Sequence, residues 1–168
     1  MIFIMGLFSS SSTIPQGITA IQNFDSTKYL GQWYEIARMD FRFERNFKNV
    51  TATYSLGNDG AIKVENKGFD YKEKKWKKAI GRAVFVGLKT VAMLKVSFFR
   101  PFYAGYNVIA IDDDYTYALV IGKSPKYLWI LSRDTTISED IKQHYLRIAE
   151  NAGCNISLLV WTEHSKNE

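Results

Sequence analysis

The side chains in this sequence that could do chemistry are few and scattered. Two histidines, His144 and His164, and a single cysteine, Cys154, all fall in the last quarter of its 168 residues. One cysteine forms neither an internal disulfide nor a cysteine-based zinc site. A Ser-His-Asp or Cys-His arrangement would have only those two histidines as bases. Asp112-Asp113-Asp114 is an acidic run, but no calcium-loop spacing accompanies it, and a tight turn explains it. No metal site and no cofactor is expected.

Charge and aromaticity say more. There are 22 Lys and Arg against 17 Asp and Glu, for a net charge of +5, and 15% of the residues are aromatic. A mild positive balance suits an anionic ligand or a lipid surface and does not call for nucleic acid. The length fits one domain, large enough to bury a core without a staple.

The elements that must position these residues are mostly strands. From Gly31 to Arg133 the apolar residues alternate, as in Ile62, Val64 and Leu94, Val96, Phe98. Turn residues at Gly57-Asn58-Asp59-Gly60, Pro101, Asp112-Asp113-Asp114 and Ser124-Pro125 separate the runs. The pattern predicts strands at about 31–39, 49–56, 61–70, 77–86, 91–98, 105–112, 116–122 and 127–132. Eight strands with hairpin-length connections predict an all-β, antiparallel up-and-down barrel. One helix follows, capped by Ser138 and ended at Gly153, with Ile141, Tyr145, Ile148 and Ala149 on one stripe. It is expected to pack outside the barrel, before a short last strand near Ser157 to Trp161. Residues 1–22 read as a leader and linker, 23–163 as the domain and 164–168 as a tail. The apolar run Met1 to Phe8 is too short to span a bilayer. It is either a degenerate export signal or a plain leader.

Three segments carry a resemblance. Gly31-Gln32-Trp33 with its flanks resembles the first signature of the lipocalin family. Asp112-Asp113-Asp114-Tyr115 resembles the second, and Tyr127 to Arg133 the third. Phe43-Glu44-Arg45, Val50 to Leu56 and Leu94 to Phe99 are similar to the bacterial outer-membrane members. The resemblance implies a calyx whose closed end is plugged by Trp33 under Arg133, with Gly31, Asp112 and Tyr115 as further closure residues. It also implies a cell-envelope location, in the outer membrane or periplasm. Relatives of that kind carry a lipidated cysteine before the domain, where this sequence has Ser9 and its neighbours, so anchoring stays open.

Strand parity then gives a ligand wall. If Trp33 points inward, Glu35 and Ala37 share its side. If Arg133 covers Trp33, then Trp129 is inward as well. Phe85, Leu94, Val96 and Phe98 extend the wall, and Tyr103 joins it near the mouth. The connections after strands one, three, five and seven share the open end and bring Arg42, Lys75 and Arg100 there among aromatics. Each buried methylene contributes about 0.8 kcal/mol, so a chain of about fourteen carbons binds without specific polar recognition. The expected function is binding and transport of a single-chain lipid, a lysophospholipid or fatty acid, with its head group at a basic, aromatic mouth. A membrane surface is a further expected partner, and the chain is expected to be a monomer or homodimer. The alternatives are a carrier of another hydrophobic molecule and an enzyme using Glu35. A single inward carboxylate is a thin basis for turnover, so no enzyme activity is expected.

Overall fold

The computed structural model describes residues 12–39 and 45–165. The leader positions 1–11, Arg42 with Phe41 and Phe43, and the tail positions 166–168 lie outside the described residues.

A one-turn helix α1 (Ser26–Tyr29) leads into strands β1 (Gly31–Met39), β2 (Phe47–Leu56), β3 (Ile62–Asp70), β4 (Lys75–Phe85), β5 (Met93–Phe99), β6 (Phe102–Ile111), β7 (Tyr117–Ile121) and β8 (Leu128–Ser132). Helix α2 (Glu139–Asn151) and strand β9 (Leu159–Trp161) complete the chain. Each of the first eight strands pairs antiparallel with the next, and β1 closes the ring against both β2 and β8. Closure leaves no long open edge for another chain to pair with. β1 changes neighbours part-way along. β2 lies beside Gly31–Tyr34, and β9 lies beside Ala37–Met39.

Two apolar layers hold the fold. Trp33, Tyr54, Val64, Leu94, Val108, Val120 and Leu131 fill the lower barrel. Leu119, Ile121, Leu128 and Ile130, from the opposite face of β7 and β8, pack with Tyr145 and Ala149 of α2. Strands β7 and β8 are therefore buried on both faces, which is why their sequence is almost continuously apolar. Helix α2 begins where Ser138 Oγ accepts from the Ile141 N–H at 3.3 Å, with Glu139 and Asp140 in its first turn. It ends at Gly153, whose φ of +90° suits a residue without a Cβ.

Residues 18–22 run against the barrel. The Ile21 N–H donates to Val108 O, and Ile21 O accepts from the Ala92 N–H, both at 2.9 Å. Ala20 is buried there.

Candidate functional site

The closed end is built around Trp33. Its indole Nε1–H donates to Tyr29 O at 2.8 Å, and the Arg133 guanidinium carbon lies 3.8 Å from its ring centre. Arg133 donates onward to the carbonyls of Lys28, Tyr29, Leu30, Gln32 and Tyr115, tying α1, β1 and the β6–β7 turn together. Gly31 has a φ of +97°, and a Cβ there would sit 3.3 Å from Arg133 Nη1. Asp112 Oδ1 accepts from the Thr116 and Tyr117 N–H groups and so shapes the turn. The Tyr115 hydroxyl accepts from the Asp25 N–H. These contacts tie the five residues into a packed floor at the closed end.

A polar tier sits among the packed residues above that floor. The Tyr106 hydroxyl is 2.6 Å from both the Tyr29 and the Tyr54 hydroxyls. Burial raises the Tyr29 and Tyr106 phenols well above their ordinary range, so both are neutral. Phe85 belongs to this solid half, with its ring 6.4 Å from Phe24. Leu94 is buried beside it.

The upper half is different. Gly81 is opposite the buried Val64, so Ala79, two residues along, also turns inward, yet it is exposed. Ala104 pairs with the core-packed Val96 and is exposed too. Phe98 lies across Gly81, where a Cβ would meet its ring at 2.7 Å, and it is 38% exposed. Trp129, opposite Val120, completes the wall. Inward residues that remain open to solvent mark a hollow cup over a solid base. Its rim includes a recess of about 220 Å³ between β6 and the β7–β8 connection, where Ala104, Gly122, Tyr127 and Trp129 meet. Of the predicted wall, Val96, Phe98 and Trp129 line the cup, whereas Phe85 and Leu94 belong to its base.

Two predicted wall residues face elsewhere. A bulge in β1 between Glu35 and Ala37 shifts the pairing with β8, so Glu35 is opposite Leu131 and Ala37 is opposite Ile130. Parity flips there. Ala37 points away from the lumen and is fully buried with the α2 layer. Arg38 takes the inward side instead, opposite Trp129. Tyr103 lies on the outer face, with Lys95 Nζ 5.0 Å from its ring and Arg82 Nη1 3.4 Å from its hydroxyl. It also contributes to the lining of the rim recess.

Glu35 is buried and committed. Its Oε1 accepts from Arg38 Nη1 at 2.8 Å and from Thr162 Oγ1 at 2.6 Å. Of the histidines, His164 stands edge-on to Tyr34, and His144 is on α2 outside the barrel.

At the mouth, Lys75 pairs with Glu73 at 2.7 Å, and Lys77 pairs with both Asp70 and Glu73. The N–H groups of Lys72 and Glu73 also donate to Asp70 Oδ1, which together with Lys77 lowers the Asp70 carboxyl below its ordinary range. Among the described residues, Arg100, Lys72, Lys74, Lys123 and Lys126 form no ion pair. Phe99 and Phe102, on either side of the Arg100 tip, are 81% and 77% exposed.

Sequence parity contains a signal for Ala79 and Ala104, small residues on the same side as Gly81 and Val96. Nothing in the sequence marks the Arg38–Glu35 pair, because the bulge that creates it is a backbone irregularity.

Comparison with known proteins gives a consistent assignment. The family model described as a lipocalin-like domain matches residues 24–164. The outer membrane lipoprotein Blc of Escherichia coli strain K12 is 53% identical over 154 residues, covering 92% of this chain and 87% of that protein. The protein of the same name from Vibrio cholerae is 40% identical over 151 residues, covering 89% and 88%. In fold, insecticyanin from the tobacco hornworm Manduca sexta superposes with a TM-score of 0.73 at 16% identity, covering 92% of this chain and 91% of that one. With its Trp33–Arg133 floor, its closed eight-stranded ring and these relatives, the chain belongs to the lipocalin family.

Proposed function

We propose that this protein binds and carries single-chain lipids, lysophospholipids or fatty acids, in the bacterial cell envelope, and that it does so without catalysis. The observation that carries the reading is the open cup, where Ala79, Phe98 and Ala104 turn inward yet stay exposed over a packed base. From Lys75 to Gly81 the wall rises roughly 20 Å along the strand, or about 15 Å along a barrel axis tilted by about 40°. An acyl chain entering that depth buries against Val96, Phe98 and Trp129. Its anionic or zwitterionic head group then lies level with Arg100, Lys123 and Lys126. Glu35 adds no turnover to this scheme, since its carboxylate oxygen already serves Arg38 and Thr162.

The mouth also suits a membrane surface. Phe99 and Phe102 project from a tip that carries Arg100, which matches apolar insertion beside anionic head groups. The envelope location rests on the outer membrane relatives.

The test is displacement of a fluorescent fatty acid by lysophospholipid and by fatty acid. One-to-one displacement by either supports the proposal. A folded sample that binds no single-chain lipid saturably contradicts it.

A further inference from the structure

A second concavity lies on the outside of the barrel, away from the cup. It is a groove of about 450 Å³, within the span of small-molecule sites of about 300–1,000 Å³. Register builds it. Tyr34 of β1 is opposite Thr51 of β2, and Thr51 is opposite Lys67 of β3, so the three form one outward row across the sheet. On β4 the residue opposite Lys67 is Lys78, and Trp76, two residues along on the same outward face and 41% exposed, lies diagonally across with its ring 4.4 Å from Lys67 Nζ. The chain after β9 forms the opposite wall. His164 meets the Tyr34 ring edge-on at 5.5 Å, and the Ser165 N–H donates to Asn49 Oδ1 at 2.8 Å.

The lining chemistry is selective. Two aromatic faces stand among amide and hydroxyl groups and the His164 imidazole, with one lysine and, among the described residues, no carboxylate in the lining. Lys67 forms no ion pair among the described residues, although Lys78 on the neighbouring strand is neutralised by Glu65 at 2.9 Å. A purely apolar ligand would leave these polar groups unpaired, and a cation would meet the lysine. A ring with an apolar face, hydroxyls around its edge and a negative substituent satisfies every part of the lining.

We propose that this groove is a binding site for an anionic saccharide. A sugar ring stacks on Trp76 or Tyr34, its hydroxyls meet Asn49, Thr51 and Gln32, and its phosphate or carboxylate contacts Lys67. The site is separate from the lipid cup, so it stands or falls independently of the lipid reading.

The experiment is a titration of the isotope-labelled full chain, followed by the backbone amide and tryptophan indole resonances. The probes are N-acetylglucosamine 6-phosphate, neutral N-acetylglucosamine, galacturonic acid and inorganic phosphate. The expected result is a saturable shift of the Trp76 indole and the Thr51 and Lys67 amides with the sugar phosphate or the sugar acid. Whichever of these two binds identifies the anionic group. Neutral sugar should bind about tenfold more weakly, as expected when a charge-assisted contact is lost. Lys67→Gln should weaken the anionic probe to the neutral level, and fluorescent fatty acid binding should stay unchanged in that variant. No saturable shift, shifts confined to Trp129, or unchanged affinity in Lys67→Gln overturns the proposal. So does inorganic phosphate binding as well as the sugar phosphate, because that reduces the groove to an anion contact.

Discussion

Arg133 does two jobs with one group of atoms. Its flat face covers the Trp33 indole while its edge serves carbonyls from three segments. Stacking contributes about 0.5–2 kcal/mol, and charge-assisted hydrogen bonds add more. Arg133→Met keeps the bulk and removes the donors, and should cost about 2–4 kcal/mol in urea unfolding, with lipid affinity per folded molecule retained. Loss of binding without loss of stability would instead make Arg133 a ligand residue. Cys154 is the opposite kind of residue. Buried behind α2, its thiol is pushed up to about 11, so it is neutral at pH 7 and a poor nucleophile. Native protein should leave a thiol reagent such as Ellman's unreacted, and urea should release one equivalent. The floor residues were legible because each has a distinctive type at a distinctive spacing. The place of Cys154 after the helix already reads as that of a partly buried structural thiol, and packing against α2 completes the burial.

Strand β1 shows where alternation misleads. A strict period of two puts Ala37 beside Trp33, but one extra residue at the bulge sends Ala37 to α2 and Arg38 inward. The hydrophobic pattern gives no warning, because Ile36, Ala37 and Met39 are all apolar and both faces of this stretch are covered. Ala37→Leu should therefore overpack the helix layer and cost about 1–3 kcal/mol, while lipid affinity stays unchanged. Reduced affinity at unchanged stability would put Ala37 back in the lumen. Tyr103 faces outward because it alternates along β6 with the inward Ala104 and Tyr106. The β3–β4 hairpin adds a pH-dependent contribution. The Asp70 carboxyl is lower in the folded protein than in the unfolded chain, so its stabilisation is complete above the ordinary carboxylate value of about 3.9 and fades as pH falls through the lower folded value. Asp70→Asn should lower the melting temperature at pH 7, and the gap from the parent protein should close in strong acid. A gap that is constant with pH would assign the effect to turn geometry alone.

At the scale of the whole molecule, the barrel is a cup rather than a tube. The tyrosine tier and the packed aromatics occupy its lower part, so ligand capacity is set by the upper strands. Sequence reasoning reached the closed ring, the outer helix and the open end, because alternation and turn residues encode them directly. It missed how high the solid base rises, since that depends on side chains from α1 and distant strands meeting inside. The proposed membrane contact falls to the exposed Phe99 and Phe102 tip. Phe99→Asp with Phe102→Asp should abolish co-sedimentation with vesicles rich in anionic lipid and leave binding of dispersed fatty acid intact. Undiminished co-sedimentation would place membrane contact elsewhere on the surface.

The most direct measurement of the central claim is quenching of tryptophan fluorescence by a fatty acid brominated in mid-chain. An acyl chain inside the cup must pass Trp129, so the quenching should saturate at one ligand per chain. It should disappear in Trp129→Phe and fall about a hundredfold in apparent affinity when Ala104→Trp fills the wall, equivalent to excluding about four methylenes. Quenching that never saturates in folded protein, or that survives unchanged in both variants, would contradict a lipid held in the barrel.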